Sequence, residues 1–400
     1  MKVQIEKLRQ ALKLLKPAVP RKTTLPVTTH VRLGEGKVVA TDLETGVTIS
    51  GVGEPQDGEA AMCLPYKLLC ELLASMPGYE IADITLADKV ATITAGSTTL
   101  TLNALPGEDF PPIPDFTPEH EAAVDGDALV KSLTAVLPYV AKEISRPTLA
   151  AVCLTLGENP EAVAADGFRL VWHPAPKLAG EGNLLIPSGA VEVLEHLWKH
   201  APKPPDLTGV DNVAQLSIAK RLVRVEYSQG PEGNGKLRVT FGEVSVLIQL
   251  VAGTFPNYHQ LIPKHTPSVT FHAPELFRGV KLVGAIAKDG SGIVRLSWEG
   301  GHLQVQARAD EVGSSSITIP AQCHREGRIA FNLRYLVEYL NGKDGMATLS
   351  TDSPSSPGLF SYRGVADQVL MPMFVNSDGT PKGTKPPAEA TAAEEPAAGA

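Results

Sequence analysis

A pattern of apolar residues that recurs three times governs what this chain of 400 residues can fold into. In the first copy Val3, Ile5, Leu8, Leu12, Leu15 and Val19 fall at helical spacing, with Pro17 near the end of the run. From Val3 to Val124 is a step of 121 residues, and the same step carries Leu8 to Leu129, Leu12 to Leu133 and Pro17 to Pro138. Val136 and Val140 complete the second copy. A third copy, Phe271, Leu276, Val280, Val283 and Ala287, begins 147 residues after the second. Self-similarity over such distances marks a structural unit used again.

Each helical segment leads into strand-like runs: 30–33 and 37–42, then 150–156 and 162–165, then 293–298 and 303–307. A second helix opens after each, at Leu64-Pro65-Tyr66, at Ile186-Pro187-Ser188 and at Phe331-Asn332-Leu333. Pro in a first turn needs no backbone partner, and Ser or Asn can cap the free N–H groups, so all three read as helix starts. Alternating runs follow, such as 91–95 with 98–102 and 222–227 with 237–241. Each copy closes on an aromatic residue or Met followed by Pro: Phe110-Pro111, Phe255-Pro256-Asn257-Tyr258 and Met371-Pro372-Met373. Helix, strands, helix, strands, three times over, predicts three α+β domains at 1–121, 122–265 and 266–376. Residues 377–400 hold mostly Pro, Ala, Gly, Thr and Glu, too little apolar mass to offset chain entropy, so a disordered tail is expected.

Composition excludes several classes. No run approaches the ~20 apolar residues that a membrane span needs. The N-terminal Met1-Lys2-Val3-Gln4-Ile5-Glu6 lacks the shape of a signal peptide. Cys63, Cys70, Cys153 and Cys323 are scattered without a CxxC pair, which indicates neither a disulfide framework nor a zinc site and suits a reducing cytoplasm. A net charge of −8 argues against gripping nucleic acid with the whole surface, but allows positive charge on one concave face.

No constellation nominates an enzyme, a metal or a cofactor. Gly230-Pro231-Glu232-Gly233-Asn234-Gly235-Lys236 fits G-x4-G-K, yet Leu237 stands where a phosphate loop needs Ser or Thr. It leads into a strand, with no helix N-terminus to hold phosphate, and reads as a hairpin loop. His196 and His200 share a helix face, but no Glu of a zincin lies between them and no third ligand is apparent. Asp289-Gly290-Ser291-Gly292 reads as a turn.

Two segments remain. Ala164-Ala165-Asp166-Gly167-Phe168-Arg169-Leu170 leaves a strand through a tight turn at Asp166-Gly167, and Val369-Leu370-Met371-Pro372-Met373 is an apolar, Pro-broken stretch ahead of the tail. Alone, they read as a hairpin turn and an edge strand. Taken with the threefold repeat and Phe255-Pro256-Asn257-Tyr258 in the same order, the chain resembles the bacterial DNA polymerase III β subunit, the β sliding clamp family. The resemblance implies repeated domains of two helices packed on antiparallel sheets, closing head to tail as a homodimeric ring around double-stranded DNA. It implies a processivity factor without catalysis or cofactor, which tethers the replicative polymerase, the clamp loader and other proteins through a peptide pocket.

On that resemblance the pocket comprises Leu149, Ala165, Gly167, Phe168, Arg169 and Leu170, then Pro256 and Leu261, then Tyr335 and Ser356, and finally Val369, Met371, Pro372 and Met373. Apolar walls would take Leu and Phe side chains of a partner's linear motif, and Arg169 and Ser356 would fix its backbone. Gln260, Ser291 and Pro354 depart from better-known members, which carry Arg, Phe and Val there. The basic loops with Arg21 and Lys22, and with Lys142 and Arg146, would touch phosphates without reading sequence. Ala74 occupies a place where some members have Arg. Leu100 and Leu102 would meet Ile286 at the subunit contact. A diverged ring protein serving different partners is the alternative.

Overall fold

The computed structural model describes every residue except 57–59, 144, 202–220, 231–233, 265, 364 and 375–400, and every side chain of those it describes except 365 and 366. The expected tail, 377–400, and the centre of the Gly230 loop lie outside the described residues. The chain divides into two compact units, Met1–Asn257 and Tyr258–Ala400. Among the described residues no helix is long and apolar enough to cross a membrane.

The first unit contains the helices Ile5–Leu15, Tyr66–Ala74, Gly126–Val136 and Ser188–His200. Their apolar stripes are the repeated residues. Leu8, Leu12 and Leu15 of the first helix and Leu129, Leu133 and Val136 of the third are buried in one continuous core. Burying each such side chain contributes ~2 kcal/mol relative to exposure.

The helices start later than the periodicity predicts. Val3 lies in the strand Lys2–Gln4, Val124 in His120–Asp125 and Phe271 in Val269–His272. A strand that runs straight into a helix keeps its last inward residue on the face that the helix then continues, so the two patterns merge in the sequence. The caps also differ from expectation. Pro65 and Pro187 occupy the cap positions without side-chain hydrogen bonds, and Ser188 is already helical. Asn332 does cap, its Oδ1 accepting from the Arg334 N–H at 2.9 Å. Asp125 caps as well, accepting from the N–H groups of Asp127 and Ala128.

A four-stranded sheet in this unit runs in the order Lys2–Gln4, Ile81–Ala87, Val90–Ala95, Thr98–Asn103. A nine-stranded sheet begins at His120–Asp125, Leu222–Ser228, Lys236–Phe241 and Val244–Gln249. It continues through Thr45–Ile49, Lys37–Thr41, His30–Gly34, Met62–Pro65 and Leu105–Pro106. Strands from the first two sequence copies meet in it where Val246 lies opposite Val47. A third set runs Asn183–Pro187, Ala151–Thr155, Glu161–Ala165, Arg169–Pro174.

The second unit holds the helices Ala273–Asp289 and Leu333–Leu340. Its strands run in the order Val365–Leu370, Gly358–Tyr362, Met346–Ser350, Val269–His272, Gly313–Cys323, His302–Ala309, Ile293–Glu299, Gly327–Asn332. Phe271, Leu276, Val280, Trp298, Phe331 and Phe360 fill its core. A Cβ on Gly284 would come within 3.0 Å of Leu333 Cδ1, so glycine is what lets these two helices approach.

Candidate functional site

The turn between Glu161–Ala165 and Arg169–Pro174 is built by one carboxylate. Oδ1 of Asp166 accepts from the N–H groups of Phe168 and Arg169, both at 3.0 Å, which is how Asp substitutes for a backbone acceptor in a tight turn. Gly167 at its apex has φ +87°, where a side chain is strained. The Arg169 guanidinium folds back beneath the turn: Nε donates to Asp166 Oδ2 at 2.9 Å and Nη2 to the Pro138 carbonyl at 3.3 Å. It also lies 4.8 Å from the Tyr139 ring centroid. With its side chain only 5% exposed, Arg169 is a strut of the turn, and the expectation that it fixes a partner's backbone gives way to this internal role.

What the turn offers outward is Phe168, half exposed at 50%, while Leu170 beside it is buried at 3%. Ala165 and Leu149 are half-buried and Pro256 is exposed. Leu149 is fixed through its backbone, its carbonyl accepting from Ala141 N–H at 2.8 Å and its N–H donating to Arg146 O at 3.1 Å. Arg146, expected to face DNA, has its Nη1 3.1 Å from where a Cβ on Gly167 would stand. The basic loop and the apolar turn are therefore neighbours.

In the second unit the counterpart residues lie along the strand Val365–Leu370 and its continuation to Met373. Val369 is buried at 1%, opposite Leu359. Met371 and Met373 are half-buried and Pro372 is buried. Met373 N–H donates to the Ala330 carbonyl at 2.8 Å, which pins the segment to the end strand Gly327–Asn332. Tyr335 is half-buried on the helix Leu333–Leu340, and Leu261 is 38% exposed on a short 3-10 turn. The Ser356 hydroxyl lies 2.8 Å from that of Ser353 in a loop whose turns are closed by Thr351 Oγ1. Gln260, Ser291 and Pro354 are all exposed.

Arg21, Lys22 and Lys142 are exposed on their loops. Ala74 is exposed as well. Leu102, expected at a subunit contact, is 8% exposed inside the core of its own unit, and Leu100 packs half-buried against it. The outward residues of Thr98–Asn103 are Thr99, Thr101 and Asn103. That strand pairs on one side, with Val90–Ala95, and ends its sheet. Ile286 is half-buried against the core of the second unit. His196 Nε2 lies 3.1 Å from the Lys13 carbonyl and its ring 4.5 Å from that of His200. Among the described residues no three His, Cys, Asp or Glu side chains gather as metal ligands.

No family model matches the chain. Curated proteins do, nearly end to end. The chain is 26% identical over 390 residues to the β sliding clamp of Synechococcus elongatus, covering 92% of this chain and 98% of that protein. It is 27% identical over 380 residues to the β sliding clamp of Caulobacter vibrioides, covering 90% and 95% respectively. The chain is thus similar to β sliding clamps along nearly its whole length. The fold agrees: a crystal structure of the DNA polymerase sliding clamp of Pseudomonas aeruginosa superposes with a TM-score of 0.78 at 22% identity, over 94% of this chain and 99% of that one. The DNA polymerase III β subunit of Thermotoga maritima gives 0.77 at 21% identity, with the same coverage.

In this chain the sequence named the segments that bear the candidate residues but missed which side chains hold them in place. Asp-Gly at the turn was the available signal for Asp166. Pro138 and Tyr139, which receive Arg169, were visible only as the end of a helix.

Proposed function

We propose that the chain is a DNA polymerase processivity factor, a homodimeric ring that encloses duplex DNA and holds a polymerase to it through a linear-motif contact. The observation that carries this reading is the match to β sliding clamps over at least nine-tenths of both chains. A part-length match would give only a shared domain. The role requires no catalysis, and no cofactor is invoked.

Both sets of candidate residues serve the partner's peptide in this reading. Phe168, Leu261 and the two Met side chains supply apolar contact, and Met can repack around different ligands. Arg21, Lys22, Lys142 and Arg146 meet DNA phosphates, so direct affinity is weak and falls with salt. The ring closes along the free edge of Thr98–Asn103, with Ile286 on the side of the other protomer, and closure hides a strand edge that would otherwise invite aggregation.

Enclosure has a topological signature. Protein loaded on nicked circular DNA should stay bound through gel filtration and run off once the DNA is linearised. Equal loss from both forms would sink the ring. For the peptide contact, deletion of residues 370–374 should abolish binding of a labelled Gln-Leu-Ala-Leu-Phe peptide in fluorescence anisotropy.

A further inference from the structure

The strand that leads into the candidate segment of the second unit carries a polar cluster at Asp367. The strand pair Gly358–Tyr362 and Val365–Leu370 shifts register between Phe360 and Ser361: Phe360 faces Gln368 and Ser361 faces Ala366, so Asp367 has no residue opposite. A bulge of this kind re-aims a side chain. Here the Asp367 carboxylate meets the helix Leu333–Leu340 and the turn after it. Oδ1 accepts from the Tyr339 hydroxyl at 3.2 Å, and Oδ2 accepts from Lys343 Nζ at 2.6 Å.

The Lys343 ammonium is held on two further sides, 4.3 Å from the Tyr339 ring centroid and 4.7 Å from that of Tyr362. Tyr362 is fixed in turn by its hydroxyl, which donates to the Asp344 carbonyl at 2.6 Å. Lys343 N–H donates to the Leu340 carbonyl at 3.2 Å, so the residue that carries the ammonium also finishes the helix. Burial raises the Asp367 carboxyl above the usual carboxylate range, against the opposing pull of Lys343 and Tyr339.

An ion pair in such a place is a poor device for stability, because desolvation offsets most of the attraction; its best-attested use is to specify register. The elements that it ties are the helix bearing Tyr335 and the strand that continues through Val369 into Met371 and Met373. Buried rings extend the link: Tyr339 packs at a tilt against Phe360, 4.6 Å between centroids, and Phe360 likewise against Phe331 at 5.5 Å, one residue from the Ala330 carbonyl that receives Met373 N–H. Next to Asp367, the Nε2 of Gln368 is buried without a hydrogen-bond partner among the described residues, so that amide N–H does not itself fix the strand's register.

We propose that Lys343 and Asp367 are positioning residues for partner binding: their pairing at the bulge sets the register that presents Val369, Met371 and Met373 beside Tyr335. The proposal rests on the peptide-binding reading above, and its test separates the two. Full-length Lys343→Met keeps the aliphatic stem between the two tyrosines and removes the charge; Asp367→Asn keeps the shape of the bulge residue; Lys343→Arg restores a cation. The readouts are anisotropy of the labelled Gln-Leu-Ala-Leu-Phe peptide and 13C-methyl NMR of the six native Met residues, to which Lys343→Met adds a seventh signal.

Lys343→Met and Asp367→Asn should each weaken the peptide by roughly tenfold, non-additively when combined, as expected of contacting groups. Lys343→Arg should recover most of the affinity. The Met371 and Met373 methyls should shift in both weakened variants, while Met1, Met62 and Met76 of the first unit hold still. Unmoved Met371 and Met373 methyls in Asp367→Asn would overturn the proposal, as would unchanged affinity alongside normal wild-type binding. A wild type that binds no peptide would defeat the pocket reading, while the methyl shifts would still decide the positioning role.

Discussion

The carboxylate of Asp166 is held by its own turn: it accepts from the backbone N–H groups of Phe168 and Arg169 at 3.0 Å and from the Arg169 side chain at 2.9 Å. Both side chains are largely out of water, 14% and 5% exposed. Asp166→Ala therefore strands the guanidinium, and breaking a buried pair from one side costs about 3–5 kcal/mol. Thermal denaturation should show that loss, and Arg169→Lys should lose less while still failing to span both Asp166 and Pro138. An unchanged melting temperature in Asp166→Ala would contradict the strut role.

Gly167→Ala should destabilise by about 1–2 kcal/mol, since φ of +87° is costly for any residue with a Cβ. The new methyl also crowds Arg146 Nη1, a flexible group that can swing away. Combining Gly167→Ala with Arg146→Ala should thus recover little stability. Full recovery in the double variant, measured by denaturant melts, would make the clash and not the backbone the cause.

Burial pushes the Cys153 thiol up to about 12 and the Cys63 thiol to about 11, against an ordinary value of 9.0. The fold favours the protonated form, so this contribution is complete below pH 9 and is lost as pH rises from 9 towards 12. Wild type should lose stability between pH 9 and 11 more steeply than Cys153→Ala, compared by denaturant melts. In native protein at pH 8 a thiol reagent should leave Cys63 and Cys153 unmodified, because the thiolate is the reactive form.

The edge strand separates two effects that a sequence-based design would mix. Leu102 belongs to the core of its own unit, so Leu102→Asp should cost on the order of 4 kcal/mol whatever the oligomeric state. Thr99→Lys with Thr101→Lys places charge on the exposed face of the same strand, a common guard against edge pairing. Sedimentation should show weakened self-association in the double Lys variant with its melting temperature kept. A dimer as stable as wild type would put the interface elsewhere.

How far the sequence reached depends on the range of each interaction. The apolar periods of 8, 12 and 15, and of 129, 133 and 136, named the buried helix faces, because burial at 3.6-residue spacing is a local property of the chain. Asp166-Gly167 named its turn for the same reason, since the hydrogen bonds that close it span three residues. Nothing local said that Val3, Val124 and Phe271 belong to strands; that depends on partners such as Ala82, Val223 and Ala347, far along the chain. Nor could spacing reveal that Arg169 points inward to Pro138, that Leu102 serves its own core, or that a bulge turns Asp367 onto Lys343. Local pattern was enough for the repeated elements and for the segments that carry the candidate residues. Which of those side chains face out was left to long-range contacts, because orientation is set between residues that only folding brings together.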